Sequence, residues 1–73
     1  MIVIGIPAFN EEKNIASLIL KLKHISDSII VCDDGSSDMT GEIAKKLGTL
    51  VITHEKNQGY GSAIKSIFNK ARE

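Results

Sequence analysis

The sequence contains few of the features that define secreted, membrane-spanning or nucleic-acid-binding proteins. It has a single cysteine, Cys32, which excludes an internal disulfide framework and is compatible with a reducing cytoplasm. No apolar run approaches the ~20 residues that a transmembrane helix needs, and the N-terminus lacks the basic segment of a signal peptide. We therefore expect a cytoplasmic protein without a transmembrane segment.

The sequence also lacks an excess of charge of either sign. Nine lysine and arginine residues balance nine aspartate and glutamate residues, so the formal net charge is zero. The basic residues are spread over the predicted helices rather than clustered, which argues against nucleic acid as a partner. A chain of 73 residues forms one domain at most and buries only about 60% of its unfolded surface, which predicts modest stability.

Short apolar runs without polar alternation are typical of strands that are buried on both faces of a parallel sheet. Such runs cover residues 2–6, 28–32 and 50–53. A segment with apolar residues at helical spacing follows each run; Asn10 is the predicted cap of the first helix, and Ser37 or Asp38 that of the second. This alternation predicts an α/β fold, a three-layer Rossmann-like β-α-β-α-β-α arrangement with a parallel sheet of order 3-2-1.

Polar segments follow the predicted strands at their carboxyl ends, where ligands bind in sheets of this kind. They cover residues 7–11, 33–38 and 57–61. The second segment begins with Asp33 and Asp34, and successive strand residues point to opposite sides, so this pair is not expected to bind one metal ion together. Neither His24 nor His54 has a partner at a spacing that indicates metal binding or acid–base chemistry, and both are expected on the surface.

The same segments partly match two other kinds of site, a dinucleotide-binding site and a receiver domain. Gly59-x-Gly61-x-x-Ile64 approaches the dinucleotide-binding fingerprint, but that fingerprint needs a third glycine and follows the first strand rather than the third. A receiver domain needs an aspartate after the third strand, where this chain has Thr53 and His54. A purely structural interpretation stays open, in which the aspartates serve only as turn and cap acceptors and the glycines only allow a tight turn.

The three polar segments together carry a resemblance to a known family. Pro-Ala-Phe-Asn-Glu at 7–11, Asp-Asp-Gly-Ser-Ser-Asp at 33–38 and Asn-Gln-Gly-Tyr-Gly-Ser-Ala at 57–63 resemble the start of a family 2 glycosyltransferase of the GT-A fold. The branch that they resemble contains dolichyl-phosphate and polyprenyl-phosphate sugar transferases. The resemblance covers essentially the whole chain. It implies transfer of a sugar from a UDP- or GDP-sugar donor with inversion, in a longer protein onto a polyprenyl or dolichyl phosphate.

The resemblance also implies a set of nucleotide-binding residues. Pro7, Phe9 and Glu11 match the loop that holds the base and ribose, although the family often has tyrosine in place of Phe9. Cys32 and Asp34 match the strand end that contacts the nucleoside, where a carboxylate can accept from either uracil or guanine. We expect Asp33 mainly to shape the loop. The glycine-bearing loop, with Gly59 and Gly61, is expected near the donor pyrophosphate.

The family's D-x-D metal motif and catalytic base lie beyond the part of the family pattern that this sequence matches. We therefore expect residues 1–73 to be a single N-terminal nucleotide-binding part of a GT-A domain, truncated before the D-x-D motif, with no catalytic residue and no metal ligand. No cofactor is expected on this chain alone, and Mg²⁺ or Mn²⁺ only in a full-length member. The alternative is a non-catalytic nucleotide-binding or self-assembling α/β module.

The first predicted strand is expected to lie at an edge of the sheet. In the full family fold a fourth strand would lie beside it, so residues 2–6 of this chain form an apolar edge with unpaired backbone groups. Such edges associate, and we expect a homodimer through this strand. In a full-length protein that acts on lipid phosphates, the expected location is cytoplasmic and peripheral to the membrane.

Overall fold

The structure is a computed structural model that describes residues 2–73; Met1, which the predicted domain includes, lies outside the described residues. Three strands alternate with three helices along the chain. They are β1 (Val3–Ala8), α1 (Ile15–Leu22), β2 (Ser28–Asp34), α2 (Thr40–Lys46), β3 (Leu50–His54) and α3 (Tyr60–Ala71). The predicted order of elements is confirmed.

The sheet is open and parallel, with β2 in the middle. Its order β1-β2-β3 is the predicted order 3-2-1 read from the opposite edge. Because β2 has a neighbour on each side and helices cover both faces, all residues from Ile29 to Asp34 are buried. The central strand is therefore the part of the fold that the continuous apolar run predicted best.

The sheet and the helices on its two faces form the predicted three layers, and apolar side chains fill the space between them. The alternation of side chains along β2 sends Ile29 and Val31 to one face and Ile30 and Cys32 to the other. The core under α1 and α2 consists of Ile6, Ala8, Ile15, Ile19, Ile29, Val31 and Ala44, and the core under α3 of Ile30, Cys32, Ala63 and Ile67. The two cores hold the carboxyl ends of the strands in fixed positions.

All three strands extend further at their carboxyl ends than predicted, β3 by the single residue His54. β1 was expected to stop before Pro7, yet it continues through Ala8, and Pro7 lies opposite Cys32 in the register. An edge strand tolerates proline because one row of its backbone groups has no strand partner. β2 extends through Asp33 and Asp34, so both aspartates belong to the strand rather than to the following turn.

The predicted cap of α1 was wrong. Asn10 has a positive φ of 52°, and its side chain accepts the N–H of Ser37 at 2.9 Å instead of capping a helix. A turn follows, in which the carbonyl of Glu11 accepts the amides of Asn14 at 2.9 Å and Ile15 at 2.8 Å. The helix starts at Ile15, because the side chain that would have capped it earlier has a partner on another loop.

The other helices also begin at positions that differ slightly from the prediction. α2 starts at Thr40, and the carboxylate of Asp38 accepts the N–H of Thr40 at 3.0 Å and also its hydroxyl, whereas Ser37 does not cap the helix. α3 starts at Tyr60, so Gly61 lies in its first turn rather than in the preceding loop. Within residues 2–73, no helix combines the length and apolar character needed to cross a membrane.

Substitution by alanine is predicted to have opposite effects on stability at Gly5 and at Gly61, because β1 lies close to α3 at Gly5 and nothing lies close to Gly61. A Cβ atom on Gly5 would lie 2.5 Å from Cγ2 of Ile67, so Gly5→Ala should lower the free energy of unfolding by about 1–3 kcal/mol. In the control Gly61→Ala, nothing lies within 4 Å of the new Cβ, and better helix propensity should raise stability by up to about 1 kcal/mol. Urea denaturation measures both; equal effects would contradict this packing.

Candidate functional site

The carboxyl ends of β1 and β2 and the start of α3 surround a cavity of about 230 Å³, which we call the strand-end cavity. It is smaller than the ~300–1,000 Å³ of a pocket that encloses a whole small molecule, so it can hold only part of a ligand of nucleotide size. It is lined by Pro7, Ala8, Phe9, Asp34, Asn57, Gly59, Tyr60 and Ala63. Of the residues predicted for the site, the structure thus brings together Pro7, Phe9, Asp34 and Gly59.

The other four residues predicted for the site, Glu11, Cys32, Asp33 and Gly61, lie outside this cavity. Glu11 is exposed and lines a neighbouring cavity of about 280 Å³ on the α1 side of β1. Cys32 is completely buried in the core under α3. Gly61 is exposed in the first turn of α3.

Asp33 and Asp34 lie on opposite faces of the sheet. Asp33 accepts the N–H of Ser36 at 3.1 Å, which closes the turn after β2. It also packs against the first turn of α2, where a Cβ atom on Gly41 would overlap its Oδ2. It lines a separate cavity of about 370 Å³ beside α2, whereas Asp34 faces α3 and the strand-end cavity.

Asp34 is the residue to which the glycine-bearing loop is attached. Its Oδ1 accepts the N–H of Gln58 at 2.9 Å, its Oδ2 accepts the N–H of Gly59 at 2.9 Å, and its backbone carbonyl accepts the side-chain amide of Asn57 at 3.2 Å. Only 4% of Asp34 is exposed, so these bonds replace the lost hydration of the carboxylate. Hydrogen bonds hold the pKa of Asp34 below its ordinary value; the largest effect is that of the N–H of Gln58, and the next is that of the bond from His54.

The prediction of a surface role for His54 was wrong, whereas His24 is exposed as expected. The His54 side chain is only 9% exposed, and its Nδ1 donates to Oδ1 of Asp34 at 2.8 Å. Its Nε2 lies 2.8 Å from Oγ of Ser66 on α3 and 3.7 Å from Sγ of Cys32. The register could have revealed this, because Asp34 and His54 end adjacent parallel strands and lie opposite each other.

Gly35 lets the turn after β2 touch the glycine-bearing loop. Its φ is 76°, a conformation that L side chains rarely adopt. A Cβ atom at this position would overlap the backbone of Lys56 and Asn57. The two loops therefore meet backbone to backbone beside Asp34.

The loop after β1 is tied to the turn after β2 by hydrogen bonds that sequence analysis did not predict. The N–H of Asn10 donates to Oγ of Ser36 at 2.9 Å, while its Oδ1 accepts the N–H of Ser37 at 2.9 Å. The N–H of Glu11 donates to Oγ1 of the fully buried Thr40 at 2.8 Å. These bonds fix the position of Phe9, which immediately precedes them in the chain.

A second, reciprocal pair of bonds lies beside the first. Oε1 of Glu12 accepts the N–H of Met39 at 3.0 Å, and Oδ2 of Asp38 accepts the N–H of Glu12 at 3.2 Å. Glu12 therefore satisfies an amide just before α2. Burial opposes ionisation of Asp38, but its hydrogen bonds from Thr40 and Glu12 hold its pKa below the ordinary value.

Cys32 behaves as a small apolar side chain. Burial raises the pKa of its thiol, and the negative charges of Asp34 and Asp33 raise it further. The thiol is therefore protonated at neutral pH and is a poor nucleophile. Among residues 2–73, no group of three or more histidine, cysteine, aspartate or glutamate side chains is placed to hold a metal ion.

Comparison with known proteins gives a family match over almost the entire chain. The model described as Glycosyl transferase family 2 matches residues 3–73. The chain is 48% identical over 64 residues to an uncharacterised protein of Methanocaldococcus jannaschii, an alignment that covers 86% of this chain and 26% of that protein. No solved structure matches the chain significantly.

Two further relatives have names that state an activity. The dolichyl-phosphate hexose transferase of Haloferax volcanii is 45% identical over 60 residues, which cover 80% of this chain and 26% of the transferase. The UDP-N-acetylglucosamine–dolichyl-phosphate N-acetylglucosaminyltransferase of Methanococcus voltae is 36% identical, over 100% of this chain and 36% of that enzyme. The chain thus spans about a quarter to a third of the length of the relatives it matches.

The bonds to Asp34 predict how stability depends on pH. Because the folded-state pKa of Asp34 is lowered, its contribution is complete above the unfolded value of about 3.9 and is lost as the pH falls through the folded value. We expect wild type to be more stable than Asp34→Asn at pH 7, with the difference shrinking below about pH 4. Thermal unfolding across the pH range measures this, and a pH-independent difference would contradict it.

Proposed function

The chain belongs to glycosyl transferase family 2, and from this premise we propose that residues 1–73 form the N-terminal nucleotide-binding part of a GT-A sugar transferase. The observation that carries the proposal is the strand-end cavity, in which Asp34 has an acceptor position left over. The chain already uses three of the roughly four lone-pair positions of this carboxylate. The remaining one can accept the imide N3–H of uracil or the N1–H of guanine.

Aromatic rings flank the cavity and suit a flat heterocycle. Phe9 lies at the end of β1 and Tyr60 at the start of α3, and both line the cavity while remaining partly exposed. Stacking of a base on an aromatic ring is worth about 1–3 kcal/mol. We propose that the base stacks on Phe9 and is held at its edge by Asp34, with Pro7 giving the strand end a rigid shape.

The start of α3 offers a place for the donor pyrophosphate. The first amides of a helix have no partner within it, and the helix dipole favours an anion there. A Cβ atom on Gly59 or on Gly61 would meet nothing within 4 Å, so a phosphate can approach the backbone closely. Glu11 is exposed on the other side of the loop after β1, and we propose that it accepts a hydrogen bond from a ribose hydroxyl.

Similarity to two relatives supports a proposal for the substrates of the whole protein. Their names specify dolichyl phosphate as acceptor and, in one case, a UDP-sugar as donor. We propose a UDP- or GDP-sugar donor and a polyprenyl or dolichyl phosphate acceptor, with inversion, at the cytoplasmic face of a membrane. Residues 1–73 contain no D-x-D sequence, and we propose that transfer uses a metal motif and a catalytic base supplied from outside these residues. Mg²⁺ or Mn²⁺ would act there by neutralising the leaving diphosphate.

An apolar surface favours self-association as a second role. Val3, at the edge of β1, is 43% exposed, and Phe68 on α3 is 66% exposed. Together with Gly5, Ile64, Ile67 and Ala71 they line a cavity of about 270 Å³ next to the unpaired edge of β1. We propose that a second copy pairs with this edge, because the strand offers unpaired backbone groups and zero net charge opposes association little.

Calorimetric titration of the 73-residue chain with UDP and with GDP tests nucleotide binding. We expect one of them to bind and Asp34→Ala to weaken the affinity at least about tenfold, because a hydrogen bond to a charged group is worth ~1.5–3 kcal/mol. Asp27→Ala, which removes an exposed carboxylate outside the cavity, is the matched control and should bind as wild type does. Absence of binding by both nucleotides, or equal binding by Asp34→Ala, would refute the proposal.

Sedimentation equilibrium tests the association through β1. We expect the wild type to be a dimer at high micromolar concentration and Val3→Lys to be a monomer, because the charge would be buried at the paired edge. Leu50→Lys is the matched control, since Leu50 is similarly exposed at the start of the opposite edge strand. A monomeric wild type, or dissociation caused by Leu50→Lys instead, would overturn this model of assembly.

A further inference from the structure

His54 joins three elements of the fold through one imidazole ring. A carboxylate can only accept, so Nδ1–H of His54 donates to Oδ1 of Asp34 across the 2.8 Å between them. In the neutral ring Nε2 is then the acceptor, and it accepts a hydrogen bond from the hydroxyl of Ser66, whose Oγ lies 2.8 Å away. The end of β2, the end of β3 and the middle of α3 are thereby connected in a single polar chain.

The order aspartate, histidine, serine is that of a hydrolase triad, but the surroundings of Ser66 do not support this chemistry. Ser66 lies in the middle of α3, where backbone amides donate to carbonyls one turn earlier. No pair of amides is therefore available beside its hydroxyl to stabilise an oxyanion. The hydroxyl instead fixes the tautomer and orientation of the His54 ring.

The bond from His54 determines which oxygen of Asp34 remains available. Oδ1 accepts both Nδ1–H of His54 and the N–H of Gln58, so both of its lone pairs are used. Oδ2 accepts only the N–H of Gly59. The unused acceptor position of this buried carboxylate is consequently on Oδ2.

We propose that His54 is a positioning residue that makes Asp34 selective for a base with a ring N–H donor, the N3–H of uracil or the N1–H of guanine. This inference rests on the proposed nucleotide-binding function and extends it to a residue that does not line the strand-end cavity. The N–H groups of Gln58 and Gly59 hold the two oxygens of the carboxylate, and His54 occupies the second lone pair of Oδ1, which leaves the one free lone pair on Oδ2 for the ligand. Ser66 supports this by holding the ring from its other side.

Two substitutions of His54 separate positioning from a general structural role. The side-chain nitrogen of asparagine is the same number of bonds from the backbone as Nδ1, so His54→Asn keeps a donor for Asp34. The nitrogen of glutamine lies one bond further out, at the distance of Nε2, so His54→Gln directs its donor toward Ser66 instead. Both variants are neutral amides, and thermal unfolding establishes that each is folded.

The readout is the ratio of affinities for a nucleoside diphosphate and its N-methylated form. The probes are UDP with 3-methyl-UDP, or GDP with 1-methyl-GDP, according to which nucleotide binds the wild-type chain. Methylation replaces the N3–H proton of uracil or the N1–H proton of guanine, and we expect it to weaken wild-type binding about tenfold or more. His54→Asn should keep this ratio within about twofold, whereas in His54→Gln it should fall toward one.

The outcomes distinguish this inference from the function on which it rests. If the wild type binds neither nucleotide, both are wrong. If the wild type binds but does not discriminate against the methylated base, or if His54→Gln discriminates as well as wild type, positioning by His54 is wrong while nucleotide binding stands. Should His54→Gln fail to fold, loss of discrimination in folded His54→Asn would overturn the inference on its own.

Discussion

The site depends on the hydrogen bonds that the buried carboxylate of Asp34 accepts. A buried charge is costly unless donors replace its hydration, and here Gln58, Gly59 and His54 provide those donors. The same bonds place the glycine-bearing loop, and with it the start of α3, against the end of the central strand. The walls of the strand-end cavity are therefore positioned by the group that is proposed to contact the ligand.

The polar segments at the strand ends divide into residues that line the cavity and residues that hold it in place. Phe9 belongs to the first group. Asn10 and Glu12 belong to the second, because they bind the backbone of the turn after β2. Gly35 also belongs to the second, since its backbone touches the glycine-bearing loop. A substitution in the second group should change the ligand site by moving a loop rather than by removing a contact.

The order of elements and the layers could be predicted from sequence because continuous apolar runs and helical spacing are local signals. The failures share a physical cause. Asn10 binds Ser37, 27 positions away, instead of capping α1, and His54 binds Asp34, 20 positions away, instead of lying on the surface. Propensity does not contain such tertiary hydrogen bonds. The motif located Asp34 at the strand end, but only the structure shows which of its acceptor positions the chain itself occupies.

We propose above that a nucleotide base occupies the strand-end cavity between Phe9 and Asp34. Nuclear Overhauser effects between the bound nucleoside diphosphate and the protein test it most directly. We expect contacts from the base protons to the ring of Phe9 and to the methyl group of Ala63. Contacts instead to Thr49 and Val51, which line the cavity on the opposite face beside Asp33, would contradict it.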